Sequence, residues 1–527
     1  MKFRDWILAL ALAANVSAAS PATFRWTAQD DAESLDPHAA WIPASRAINL
    51  LVYERLFARD KDFAMAPGLA ESWENVSPTR WIVHLRKGVR FHDGSDFTAD
   101  DVVYSFNRAA RSDSTVRIYA VGAGTPSKID DHTVEFATPA PNPLMVEMLR
   151  AVPIMSKAWC ERHGVSRPQD LKNAEGTFAA QNAMGTGPFV LVSREAGVRT
   201  LHRKNPEWWG IAKGLFTGNA DVLDFRPLEN AATRTAALKS GQVDFVLDPS
   251  PQDIPLLRED NGLTVWDGVE QRIVYVGLDL ARDELLYSNV KGRNPFKDRR
   301  VRFALYEAID IEAIRRQVMR GDAVPTDVAL HVPVGTDVAP GLERLHPYDP
   351  AAAKHLLAEA GYGQGFGFTL HCPRERAING DRICTALAAM WARIGVDVKV
   401  EVVPTSIFMG QAIARDVSAY LYSYGGEVSD SLFMLRPVLH SASLPGYGQM
   451  NYGSVRIREL DALIEEMGAE MDPARRKRLL AETMKLVQAE LPVIPLHRQV
   501  SPWVSRNNVT LVHSPDNIPN LTWVRIR

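Results

Sequence analysis

Cysteine is scarce, with three residues in 527. That excludes the dense disulfide framework that holds small secreted domains, so stability must rest on burial. Neither sign of charge dominates: 60 Lys and Arg stand against 63 Asp and Glu, which leaves no basic footprint for nucleic acid. No run of like charges forms a polybasic membrane patch. Gly at 34 and Pro at 33 are near average usage, so collagen-like and low-complexity readings fail. There is no internal repeat and no Gly/Ser linker. Signature motifs of catalysis are also missing: no H-E-x-x-H zinc site, G-x-S-x-G elbow or G-x-x-x-x-G-K-[ST] phosphate loop occurs. The thirteen histidines are scattered without metal-ligand spacing. Catalytic groups can be distant in sequence, but nothing in this chain argues for an enzyme, a cofactor or a resident metal.

What is present is ordinary globular composition, 46% hydrophobic and 23% charged, at a length that suggests about three domains or lobes. Lys2 and Arg4 precede an apolar run from Trp6 to Ala14, closed by Val16-Ser17-Ala18-Ala19. That order is a secretory signal peptide over residues 1–19, with cleavage after Ala18 or Ala19. The run is about half the ~20 residues of a membrane span. With no cysteine beside the cleavage site, a free periplasmic protein is expected.

Strands and helices alternate throughout, a mixed α/β pattern. Trp81 to Leu85 reads as a strand, and Thr98 with Asp101 as a capping box heading a helix to about Ala110. Asp349-Pro350 opens a helix that stops at Gly361, and Asp472-Pro473 opens a longer one ending before Pro492. Val396, Val398, Val400 and Val402 alternate with polar residues, a strand with one buried face. His92-Asp93-Gly94 reads as a turn, and the glycines at 361, 363, 365 and 367 as a loop after a helix, not a dinucleotide fingerprint. Cys372 and Cys384 are within pairing range in sequence, yet the expectation is buried free thiols.

From Leu35 onward a series of motifs covers nearly all of the remaining chain. They include "LDPH" at Leu35–His38, the long stretch "LAESWENVSPTRWIVHLRKGVRFHDGSDFTADDVVYSFNRA" from Leu69 to Ala109, and "GTGPF" at Gly185–Phe189. "NPEWWG" at Asn205, "ALKSGQVDFV" at Ala237, "NPFKDRRVRFALYEAIDIEAI" at Asn294, "YDPAAAKHLLAEAGY" at Tyr348 and "PVIPLH" at Pro492 follow in order. In these motifs the chain resembles the extracytoplasmic solute-binding proteins of dipeptide, oligopeptide and nickel ABC importers. The resemblance implies a two-lobed clamshell that closes on a ligand about a hinge, with an extra inserted domain. It places lobe I at residues 20–54, 186–279 and 490–527, the inserted domain at 55–185, and lobe II at 280–489. Its partners would be a small solute, most simply a short peptide, and a membrane permease, and the receptor is expected to be monomeric. A metal chelate, haem, an opine or an oligosaccharide are alternative ligands. A periplasmic hydrolase or holdase chaperone is the reading from another class.

The resemblance also carries individual residues. Glu427, in Ser423-Tyr424-Gly425-Gly426-Glu427, stands where peptide-binding relatives place the acid for the ligand's α-amino group, with Tyr424 in place of a tryptophan and Gly426 beside it. Arg374 falls where relatives carry the arginine that grips the carboxylate, and Arg376 substitutes if the loop register differs. Trp41, Ile42 and Pro43 align with a loop lining the cleft. Arg117 and Tyr119 approach it from the inserted domain. His440 lies two positions out of register with a histidine of nickel-binding relatives, which makes it the weakest candidate.

Overall fold

The helix starts follow their capping residues. Thr98 and Asp101 form the reciprocal box at the head of Ala99–Ala109, with the Thr98 amide donating to Asp101 Oδ2 at 2.9 Å. Asp349 accepts from the amides of Ala351 and Ala352 above Pro350–Glu359, and Asp472 from Arg475 above Pro473–Glu490. Gly361, at φ +82°, takes the left-handed turn after the first of these helices. These observations come from a computed structural model that describes residues 21–173, 175–326, 347–374, 376–426, 428–444 and 446–527. The leader expected over residues 1–19 lies outside them.

Three main sheets organise the described chain. A seven-stranded sheet runs in the order Leu263–Trp266, Trp503–Arg506, Phe245–Val246, Thr23–Thr27, Val222–Phe225, Arg199–Lys204, Phe189–Glu195. A six-stranded sheet runs Ala323–Pro325, Val493–Val500, Val269–Leu278, Ala419–Gly425, Phe366–Pro373, Val396–Val403. The inserted stretch holds a four-stranded antiparallel sheet, Ala70–Ser77, Arg80–Leu85, Thr133–Ala137 and Thr125–Asp130 in spatial order. Val396–Val403 is an edge strand, so its valine alternation is buried at Val396 and fades to an exposed Val402.

The chain passes directly between the two larger sheets at two places. Leu263–Trp266 belongs to the first and Val269–Leu278 to the second; Val493–Val500 belongs to the second and Trp503–Arg506 to the first. The crossings at 267–268 and 501–502 lie side by side, joined by the Ser501 amide donating to the Gly268 carbonyl at 3.1 Å. Two adjacent short crossings are what a hinge requires. Strands 269–278 and 493–500 thus pair in the six-stranded sheet, although the sequence motifs group both stretches with lobe I.

Both faces of the six-stranded sheet are covered. Val274, Val276 and Leu278 pack into one core with Leu305, Leu387 and Trp391, while Ile273 and Tyr275 face the other with Tyr420, Tyr422 and Phe408. The expectation of free thiols at Cys372 and Cys384 is corrected: they form a disulfide. Cys372 lies on strand Phe366–Pro373 and Cys384 on helix Gly380–Ala392, and the short connection sets their Cα atoms 6.6 Å apart, within bonding range. Cys160 is free and buried, and burial pushes its thiol up to about 11.

Candidate functional site

The loop that carries Trp41 is anchored from below by a buried ion pair. Asp36 of "LDPH" meets Arg108 of the helix Ala99–Ala109 through contacts of 2.6 and 2.9 Å, and both side chains are about 1% exposed. Arg108 also donates to His38 Nδ1 at 3.0 Å, so His38 Nε2 must be the nitrogen that donates to the Pro153 carbonyl at 2.8 Å. Burial and the Arg108 charge accordingly hold His38 neutral, at about 4. Two motifs far apart in sequence therefore meet in one satisfied network. "GTGPF" is held in the same way: a Cβ at Gly185 or Gly187 would come within 2.1 or 2.5 Å of the Val52 carbonyl, so only glycine allows that approach.

Trp41 follows this anchor, and the helix Pro43–Asn49 starts directly after it, with Ile42 at its N-cap and Pro43 in its first turn. Arg46 and Arg55 each place a guanidinium 5.3 Å from the centre of the Trp41 ring, a cation–π distance. Asp516 lies 4.0 Å from Arg46. Burial lowers Arg55 well below its ordinary value, with the charges of Arg150 and Arg46 adding to the effect.

An aromatic chain then crosses from this wall to the six-stranded sheet. Trp41 lies 6.2 Å from Tyr119, Tyr119 stacks on Phe433 at 5.9 Å, and Phe433 sits 5.9 Å from Tyr424. The Tyr424 hydroxyl donates to the Phe433 carbonyl at 2.9 Å. Gly426 is beside that ring, where a Cβ would come 3.0 Å from Phe433. Trp41, Tyr119, Tyr424 and Gly426 are thus brought together, and Phe433 joins them unforeseen. The only sequence signal for it is its position six residues after Glu427.

Two arginines flank the tyrosine row on the sheet. Arg272 is bonded to Glu270 at 3.0 Å and reaches Ser423 Oγ at 3.3 Å. Arg376 lies over the Tyr422 ring at 4.4 Å, and its buried Nε has no hydrogen-bond partner among the described residues. Burial pulls the Arg376 guanidinium below its usual value. Arg374 is exposed: its amide donates to Val403 at the end of the edge strand, and its carbonyl accepts from the Thr405 hydroxyl of the helix that follows. Arg117 is exposed as well, while Tyr119 two positions on turns inward. Glu427 lies outside the described residues.

His440 is fully buried, bonded through Nε2 to Glu465 at 3.0 Å, with the Tyr447 ring at 4.5 Å. Among the described residues no three His, Cys, Asp or Glu side chains cluster to hold a metal ion. Also among them, no helix is long and apolar enough to cross a membrane.

Two mixed α/β lobes joined by paired crossings, with aromatic and guanidinium groups converging between them, define a binding protein of the periplasmic clamshell class. The chain belongs to the bacterial extracellular solute-binding proteins, family 5, whose family model matches residues 64–445. It is 27% identical to heme-binding protein A of Haemophilus influenzae over 85% of this chain and 82% of that one. It is 26% identical to the dipeptide-binding protein of Escherichia coli over 81% of this chain and 80% of that one. The solved structure of HbpA2 from Haemophilus parasuis superposes with a TM-score of 0.79 at 24% identity, covering 96% of this chain and all of that one.

Proposed function

We propose that the chain is the periplasmic receptor of an ABC importer, that it closes on a short peptide between its lobes, and that it delivers this peptide to a membrane permease without making or breaking a bond. The observation that carries the reading is the junction of the two walls through Tyr119 and Phe433, next to an Arg376 guanidinium with a buried donor that no described residue satisfies. A peptide carboxylate supplies the missing acceptor, and guanidinium matches a carboxylate bidentately. We therefore assign the carboxylate to Arg376 in preference to the exposed Arg374, and the α-amino group to Glu427. Trp41, with Ile42 and Pro43, forms the wall beside the peptide backbone; Tyr424 and Gly426 border the amine end; Arg117 is peripheral. Removal of residues 1–19 on export and a monomeric state belong to the same proposal. The dipeptide-binding relative supports the ligand class.

Titration calorimetry with a panel of dipeptides tests this reading. Arg376→Gln is expected to weaken binding by roughly 1–3 kcal/mol, the cost of losing a charged hydrogen-bond partner. Arg374→Gln is expected to lose far less. The reverse ranking would return the carboxylate to Arg374, and undiminished affinity in both variants would refute the peptide anchor.

A further inference from the structure

A second cavity lies in the lobe built on the seven-stranded sheet and shares Arg55 and Asp516 with the wall around Trp41. It has a volume of about 370 Å³ and is bounded by residues 47–68, Arg150, the "NPEWWG" stretch and the C-terminal segment 514–523. That volume is within the range of small-molecule sites, about 300–1,000 Å³. Tyr424, Phe433 and Arg376 take no part in its lining. Its walls are mainly apolar, with Leu51, Trp209, Leu215 and Trp523 among them.

Charged groups of both signs line it: Glu54, Asp60 and Asp516 against Arg55, Arg59, Lys61 and Arg150. Glu54, beside Trp209, is committed to indole N–H groups, accepting from Trp208 at 3.1 Å and from Trp209 at 2.9 Å. Asp60 is spent on its own turn, accepting from the amides of Asp62 and Ala64. Of the four basic side chains, Arg55 stacks on Trp41, while Arg59 and Lys61 lie elsewhere in the lining. Arg59 is ion-paired to Glu147 through its terminal nitrogen, yet its buried Nε has no hydrogen-bond partner among the described residues. Lys61 is exposed and stands 5.9 Å from the Trp523 ring. Apolar walls with a buried, unsatisfied guanidinium N–H suit an anion on an apolar body.

We propose that this cavity is a second small-molecule site, which takes a carboxylate carried on an aromatic or short hydrocarbon body. The carboxylate meets Arg59, and the body lies against Trp209, Leu51 and Leu215. Arg55 lines the cavity and also stacks on Trp41, so the site shares a wall with the cleft without opening into its aromatic junction.

The probe is indole-3-acetate, compared with its neutral analogue indole-3-acetamide, by calorimetry and by quenching of tryptophan fluorescence. Expected is one saturable site for the acetate, with the amide about tenfold weaker, a difference of about 1.4 kcal/mol. Arg59→Gln should abolish the preference for the acid. Leu215→Trp, which fills the cavity from a half-exposed wall position, should remove binding of both probes. The proposal is overturned if neither probe saturates, if the amide binds as tightly as the acid, or if binding survives Leu215→Trp and is lost in Arg376→Gln. The last result would put the probe in the cleft.

Discussion

Tyr420, Tyr422 and Tyr424 alternate along one strand, so their common face follows from a period of two. Arg376 and Arg374 also differ by two positions, but the strand ends at Pro373, and beyond it the backbone no longer alternates faces. Motif position alone therefore favoured the exposed arginine. Phe433 and Arg46 lie outside any family motif quoted from the sequence, and their place in the site depends on tertiary packing. Buried histidines give the residue-scale prediction. His202 is 1% exposed with neither ring nitrogen bonded among the described residues, and burial pulls it down to about 3. The unfolded chain takes up that proton near pH 6.5, whereas the folded one does not until far lower pH. Stability from this group is thus fully present above about 6.5 and declines as pH falls towards 3. His497, held at about 4 by burial, acts in the same direction. Glu54, raised to about 7, opposes them by losing its contribution as pH rises from its ordinary value. Replacing His202 by Leu should reduce the stability lost between pH 6.5 and 5 by about 1.5 kcal/mol. Denaturant melts at the two pH values check this, and equal losses in both proteins would contradict it.

Elements were the most readable level, because their ends carry local chemistry. Thr98, Asp349 and Asp472 marked three helix starts that the structure reproduces. The strand read at Trp81–Leu85 and the valine strand also form where the sequence placed them. Which sheet a strand joins was less readable. Val269–Leu278 is almost entirely buried on both faces, and its sequence neighbours pair elsewhere, so nothing local announces the crossing. The disulfide was hidden for a related reason: its geometry depends on how helix Gly380–Ala392 lies over strand Phe366–Pro373. It closes a loop with a sequence separation of 12, for which chain entropy gives about 3 kcal/mol of stabilisation. The double variant Cys372→Ser, Cys384→Ser should lose about that much in urea unfolding, and wild-type protein under strong reductant should match it. An unchanged midpoint in both would show that the bridge constrains nothing.

At the scale of the whole molecule, the two lobes touch through few polar contacts away from the aromatic junction. Arg258 reaches Asp267 beside the hinge and Asp322 on the far lobe, the latter at 2.8 Å, and Gln252 bonds Asn379 at 3.3 Å. Two isolated contacts of this kind are a small hold between the lobes, so ligand contacts on both walls are free to decide the balance between open and closed forms. Family membership fixes the class of protein; the ligand is the central claim that remains to be measured. The direct test is to purify the protein from its own periplasm, release what it carries with mild denaturant, and analyse the filtrate by mass spectrometry. A tightly held ligand survives purification because it stabilises the folded state by mass action. Short peptides with free amino and carboxyl ends are the result predicted here, whereas a single non-peptide species such as haem, a metal chelate or a sugar would contradict the peptide assignment.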